Sequence, residues 1–192
     1  MKYTTAITAL GAALAQSSCA AAYFTAISAR SASPVHFLNL EARSGFIYLG
    51  GAPSSYCPVA QVGDACPPGN ITTFAGGQGT LSLGVVVPGG QQVYVASSGA
   101  LSYTIPHSAY IPDCSIVDGF SITNSTNGQP FGYLNFETGF LACPAAAPET
   151  GYQVFGAVAD AKFPSECLGI SILTCKSISS SPSVDEPGAW QY

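Results

Sequence analysis

Apolar and polar positions alternate in short runs along most of the chain, and few segments show the 3.6-residue rhythm of an amphipathic helix. Runs with strand character cover residues 23–28, 36–41, 46–49, 71–74, 80–87, 92–96, 101–105, 119–123, 131–136, 140–143, 152–158 and 168–174. Turn sequences separate these runs at residues 76–79, 88–90, 97–99 and 127–128. Many short strands joined by tight turns predict a single all-β domain with antiparallel strands, either a β-sandwich or a β-barrel-like structure.

The two ends of the chain depart from this pattern. Lys2 precedes an apolar run over residues 6–15 that ends in a small-x-small site, which is typical of a secretory signal peptide. We therefore predict a signal peptide over residues 1–15, with a cut as late as residue 22 as the alternative, and a domain over residues 22–176. Residues 177–192 are rich in Ser and Pro and predict a flexible tail. In the alternative, the aromatic residues at the end of this tail dock onto the domain or onto a wall polymer.

Charge is scarce in this chain. Only 8% of the residues are charged, against about 25% in an ordinary soluble protein. Once Lys2 has left with the signal peptide, four scattered basic side chains face ten acidic ones, so no basic patch can neutralise phosphates. We expect no nucleic-acid partner. We also expect no membrane partner, because no apolar run outside the signal reaches the length of a membrane span.

Two N-glycosylation sequons lie in loop-like sequence, Asn70-Ile71-Thr72 and Asn124-Ser125-Thr126. An exported chain passes through the compartment where such sites are modified. We therefore expect sugar on Asn70 and Asn124, which would add to the solubility of a weakly charged protein.

Six cysteines fall in the predicted domain, and an exported chain is expected to oxidise them. They are Cys57, Cys66, Cys114, Cys143, Cys167 and Cys175. Six cysteines allow fifteen pairings, which sequence alone does not resolve. The positions of the cysteines relative to the predicted loops suggest a local Cys57–Cys66 bridge around a loop that contains Pro and Gly. It also suggests Cys143 with Cys167 at the borders of the last predicted strands, which leaves Cys114 with Cys175. The early signal cut would retain Cys19 as an unpaired thiol, and a late cut would remove it.

The sequence contains no recognisable catalytic or metal-binding motif. A nucleophile elbow, a His-Glu-x-x-His motif, a Walker lysine and a dinucleotide fingerprint are all missing, and the cysteine spacing does not suit zinc. A catalytic base would have to be His36 or His107, and a contact between His107 and a nearby aspartate is the alternative to a plain surface histidine. Carboxylates that could form a glycosidase pair are Glu41, Asp64, Asp113, Asp118, Glu137, Asp160 and Glu166. Most of them adjoin turn residues. We predict a non-catalytic protein without metal or cofactor.

Sequence blocks between residues 22 and 175 carry a likeness to a known family. The first block is residues 23–36, with a Ser-x-Ser-Pro-hydrophobic-His turn at residues 31–36. Further blocks are residues 73–74, 79–83, 91–95, 98–99 and 101–104. The strongest are Gly132-Tyr133-Leu134-Asn135-Phe136, Phe140-Leu141-Ala142-Cys143-Pro144 and Cys167-Leu168-Gly169-Ile170. These blocks resemble the fungal phialide cell-wall protein (PhiA) family, also known as IgE-binding cell-wall proteins.

The resemblance implies a secreted, wall-associated protein linked to phialide and conidium development, and some family members are recognised as allergens. It makes Cys143–Cys167 the most credible disulfide and brings no catalytic residues. Residues 110–118, Cys114, Cys175 and the tail look like additions to the family pattern. We therefore expect a secreted, glycosylated, cell-wall-associated structural protein whose partner is cell-wall glycan. The alternative is a secreted carbohydrate-binding module or a host-interacting effector or allergen.

Overall fold

Antiparallel strands make up most of the structure, which is a computed structural model that describes residues 23–66, 69–124, 131–147, 149–175 and 189–192. The strands are β1 (Thr25–Ala29), β2 (Leu40–Arg43), β3 (Phe46–Leu49), β4 (Phe74–Leu83), β5 (Gln92–Val95), β6 (Leu101–Tyr103), β7 (Phe120–Thr123), β8 (Phe131–Phe136), β9 (Phe140–Pro144), β10 (Tyr152–Gly156) and β11 (Leu168–Cys175). One helical turn, α1 (Val59–Val62), continues into a 3₁₀ turn over Gly63–Ala65. In the described part of the chain, no helix is long and apolar enough to span a membrane.

The strands form one sheet that is almost closed into a barrel. Its order is β1-β11-β8-β7-β4-β5-β6-β3-β10-β9, and β9 pairs back onto β11. Strand β11 makes this closure because Ile172 pairs with Leu134 of β8 while Ile170 pairs with Phe140 of β9. Strand β2 pairs with β3 outside this path. The all-β, antiparallel prediction is confirmed, and the barrel-like form is the one observed.

The core lies inside the curved sheet, where alternate side chains of each strand meet. On β8, Leu134 and Phe136 are buried while Phe131, Tyr133 and Asn135 face outward, as the period-two pattern predicts. Aromatic rings contact one another across the interior, with ring centroids 5.1–5.9 Å apart, in the pairs Phe24–Phe74, Phe120–Phe136 and Phe136–Phe140. Closing the sheet therefore gives its inward faces a common apolar interior.

The predicted turn at residues 76–79 is confirmed, and it lies within the range of β4. The Gly84 N–H donates to the Thr73 carbonyl at 2.7 Å, and a Cβ on Gly76 would lie 2.7 Å from the Thr80 carbonyl oxygen, so the chain reverses between these residues. Gly76, Gly77 and Gly79 have φ values of 98°, 85° and 102°, a region that favours glycine. A Cβ on Gly77 would lie 2.4 Å from the Ile122 side chain of β7. The glycines therefore allow both the reversal of the chain within β4 and the close approach of β7. The predicted strand over residues 36–41 begins later, at Leu40, because a loop precedes it.

Two of the predicted disulfides are confirmed and the third is wrong. Cys57 bonds Cys66 and Cys143 bonds Cys167. Cys114 is an exposed free thiol, and Cys175 is a half-buried one.

Strand order explains why the third bridge does not form. Cys175 ends β11, whereas Cys114 lies two residues from Ile116, which bridges to Val95 of β5. Three strands, β8, β7 and β4, separate β11 from β5. Along the curved sheet this spacing is roughly 19 Å at about 4.8 Å per strand, so the two cysteines lie on different parts of the barrel wall, whereas a disulfide needs Cα atoms about 4.4–6.8 Å apart.

The end of the chain is packed against the barrel. Ala189 and Tyr192 are buried, with only 8% of Tyr192 exposed, and Trp190 is half-buried. Ala189 bridges in parallel to Val85, and Gln191 bridges in antiparallel fashion to Tyr56. The predicted flexible tail therefore does not extend to residues 189–192, which dock onto the domain. The signal peptide with Cys19, residues 176–188 and the turn at 127–128 lie outside the described residues.

Candidate functional site

Two neighbouring loops enclose an open pocket of about 530 Å³ at one end of the β5–β6 hairpin. The loops are held together because the Thr104 N–H donates to the Gln92 carbonyl at 2.9 Å and the Gln92 N–H donates to the Thr104 hydroxyl at 2.9 Å. The residues that line the pocket are Pro88, Gly89, Gly90, Gln92, Thr104, His107, Ser108 and Ala109. We call this the loop pocket.

Apolar side chains stand exposed beside the loop pocket. Ile105 follows the lining residue Thr104, and Tyr110 follows Ala109 with 74% of its surface exposed. Val86 is exposed two residues before Pro88. The site therefore combines neutral hydrogen-bonding groups with exposed apolar and aromatic surface.

The buried Gln91 side chain connects the pocket loops to the last residues of the chain through hydrogen bonds. Its Nε2 donates to the Thr104 carbonyl at 2.9 Å and to the Tyr192 carbonyl at 2.8 Å, and its Oε1 accepts the Tyr192 N–H at 2.7 Å. The Val87 N–H donates to the Trp190 carbonyl at 2.9 Å. Both loops are thus tied to residues 189–192. Nothing local in the sequence distinguishes Gln91 from the neighbouring Gln92, so sequence reasoning missed it.

Glu41 is the one buried carboxyl group among the seven proposed for acid–base chemistry. It is 1% exposed, and its Oε2 accepts the Thr72 N–H at 2.9 Å. Burial raises the pKa of Glu41, and hydrogen bonds from Thr72 oppose the rise. Burial also raises the pKa of the neighbouring Tyr192 to about 12, with a contribution from the Glu41 charge. Glu41 does not line the loop pocket, so it belongs to the interior packing around Tyr192.

The remaining six candidate carboxylates do not come together at the loop pocket. Asp64, Asp113, Asp118, Glu137, Asp160 and Glu166 are all exposed, and none of them lines it. In the residues that the structure describes, no group of three or more His, Cys, Asp or Glu side chains is arranged to hold a metal ion.

The two histidines lie in different loops. His107 lines the loop pocket with a left-handed φ of 61°, and no carboxylate of the described residues hydrogen-bonds to it. The His107–aspartate contact considered from the sequence is therefore not formed there. His36 accepts the Arg30 N–H on Nδ1 at 3.2 Å and stacks on Phe37. Among the described lining residues, His107 is the one titratable side chain.

The two sequon asparagines are both exposed. Thr72 of the first sequon is buried, and its hydroxyl accepts the Ala42 N–H at 2.8 Å. Ser125 and Thr126 of the second sequon lie outside the described residues. Exposure leaves Asn70 and Asn124 accessible to the glycosylation machinery, and their modification stays a prediction.

Comparison with known proteins supports a secreted protein. The family described as PhiA-like secreted protein matches residues 24–192. An uncharacterized secreted protein of the fungus Arthroderma benhamiae is 38% identical over 161 residues, which cover 81% of this chain and 77% of that protein. No solved structure gives a significant match. The match runs through the strands and the docked terminal segment alike, and this chain belongs to the PhiA-like secreted protein family.

Proposed function

We propose that this secreted protein is a non-catalytic structural component of the fungal cell wall that adheres to neutral wall glycan through the loop pocket. The loop pocket carries the proposal, since it is open, about 530 Å³ in volume, and lined by neutral groups apart from His107. That volume is in the usual range for small-ligand sites, about 300–1,000 Å³. A link to phialide and conidium development is proposed from the family resemblance alone.

The chemistry of the loop pocket suits a saccharide. Sugar hydroxyl groups donate and accept hydrogen bonds, and Gln92, Thr104 and Ser108 offer side chains that do the same. The carbon-bound face of a pyranose is apolar and can pack on an aromatic ring such as Tyr110. A ligand of this kind needs no opposite charge, which is consistent with a chain of which only 8% is charged.

The rigid framework of the domain favours binding. Two disulfides each stabilise the domain by about 2–4 kcal/mol. Hydrogen bonds to residues 189–192 also hold both pocket loops in place. A preformed site loses less conformational entropy when it binds, so modest contacts can suffice.

The test is retention of the secreted protein on washed walls and on insoluble chitin and β-glucan. Ala109→Trp places a large ring inside the loop pocket, and Ala146→Trp makes the same change at an exposed loop residue away from the pocket lining. We expect the first variant to lose at least about fivefold in retention and the control to bind like the native protein, a difference of about 1 kcal/mol.

Two results would contradict the proposal. Complete recovery of the native protein in the medium, with none on washed walls, would exclude wall association. Release of new reducing ends from either polysaccharide would show that the protein is catalytic.

A further inference from the structure

The loop between β1 and β2 holds an aromatic side chain in a position that packing alone does not explain. Phe37 has a left-handed φ of 60°, and Ala32 in the same loop has a φ of 54°. This region is sterically unfavourable for a bulky residue other than glycine. The Phe37 ring is 60% exposed, so burial does not compensate for the unfavourable backbone. Such local strain often marks a binding position.

The backbone around Phe37 is firmly fixed by the barrel. The buried Ser28 hydroxyl donates to the Val35 carbonyl, and the Phe37 N–H donates to the Ser28 carbonyl at 2.8 Å. The Ser28 N–H in turn donates to the Leu38 carbonyl at 2.9 Å. Val35 itself is fully buried and anchors the middle of the loop. The exposed ring is therefore held in place before any ligand arrives.

His36 lies directly beside the ring, and Arg30 is joined to His36 through its main-chain N–H. The His36 ring stacks on Phe37 with centroids 3.8 Å apart, and its Nδ1 accepts the Arg30 N–H at 3.2 Å. Because Nδ1 is an acceptor, neutral His36 carries its proton on Nε2 and can donate there. Arg30 Nη1 donates to the Gly169 carbonyl at 2.7 Å, which fixes the guanidinium and leaves other N–H groups for a ligand.

We propose that Arg30, His36 and Phe37 form a platform that binds one pyranose ring of a neutral polysaccharide. This rests on the proposed glycan adhesion and adds a second contact made by residues that do not line the loop pocket. The open face of Phe37 packs on the apolar face of the sugar, while His36 Nε2–H and the Arg30 guanidinium donate to its hydroxyls.

A polysaccharide fits this platform better than a folded protein does. One ring and two polar side chains cover far less than the roughly 1,000 Å² of a stable protein–protein interface. A single pyranose ring of a polysaccharide matches this small surface, since it offers one apolar face and several hydroxyl groups.

The test uses Phe37→Gly, Phe37→Tyr and the native secreted protein on insoluble chitin and β-glucan. Glycine adopts a left-handed φ freely, so we expect Phe37→Gly to raise the melting temperature by about 2–4 °C. Retention should fall about fivefold because the stacking ring is lost. Phe37→Tyr keeps a ring and should bind like the native protein. This combination of higher stability and weaker binding is not expected of a purely structural residue.

Other outcomes overturn the platform. Unchanged retention of Phe37→Gly on both polysaccharides would show that the ring does not bind them, and a lower melting temperature would show that Phe37 serves the fold. Loss of retention in Ala109→Trp but not in Phe37→Gly would leave the proposed function intact and reject the platform. If the native protein is not retained on either polysaccharide, an NMR titration with soluble chitin and β-glucan oligosaccharides decides. Shifts at the His36 and Phe37 rings support the platform, and their absence rejects it.

Discussion

Removal of Tyr192 should destabilise the domain much more than the loss of one residue from a flexible tail would. The side chain is 8% exposed, and burying a ring of this size contributes about 2–3 kcal/mol. Tyr192 also makes two main-chain hydrogen bonds with Gln91, and its hydroxyl donates to the Ile71 carbonyl at 2.9 Å. Each is worth about 1 kcal/mol net. After allowing for the backbone entropy that is regained, we expect a loss of about 3–5 kcal/mol.

The free energy of unfolding in urea, measured on the native protein and on a chain ending at Gln191, checks this prediction. Tyr192→Phe removes only the hydroxyl and should cost about 1 kcal/mol. Gln191→Ala is the matched control, because among the described residues Gln191 is held through its main chain, by hydrogen bonds with Tyr56, and it should stay within about 0.5 kcal/mol of the native value. A cost below about 1 kcal/mol for the truncation would refute the docked segment.

The pH dependence of stability gives a second measurement on Tyr192. Its pKa is raised from the ordinary value of 10.0 to about 12 because the phenol is buried. The stabilisation by the neutral phenol is therefore fully present below pH 10 and is lost as the pH rises to about 12. Tyr192→Phe should lack this loss. An identical alkaline profile for the two proteins would contradict the buried position of the hydroxyl.

Two further predictions concern groups that only the fold distinguishes. Burial raises the pKa of Glu41 above the ordinary 4.5, so the free energy of unfolding should fall as the pH rises through the raised value. Glu41→Gln should flatten this dependence on pH. Equal slopes for the two proteins would contradict the buried position of the carboxyl group. Under native conditions iodoacetamide should label the exposed Cys114 much faster than the half-buried Cys175, because burial raises the pKa of the Cys175 thiol. Peptide mass mapping measures the two rates, and equal rates would contradict the fold.

The local features of the chain were predictable because they depend on neighbouring residues. Alternation along β8 depends only on the two-residue period of a strand, and Cys57 is nine residues from Cys66. The turn at residues 76–79 was predictable for the same reason, since its glycines accept the positive φ values that reverse the chain. Only the structure shows that the Ile122 side chain, far along the chain, approaches Gly77 closely.

The sequence by itself determined the class of protein: a low-charge, cysteine-bearing, exported chain of many short strands, with a resemblance that the family match confirms. Only the tertiary structure decided how the barrel closes, which thiols stay unpaired, and that the last residues pack against Gln91, 101 positions away. Burial and hydrogen-bond partners depend on where distant strands meet. The composition of residues 177–192 predicted a tail. Residues 189–192 nevertheless pack against the barrel, because the Tyr192 ring is buried in an apolar environment and its polar atoms are hydrogen-bonded.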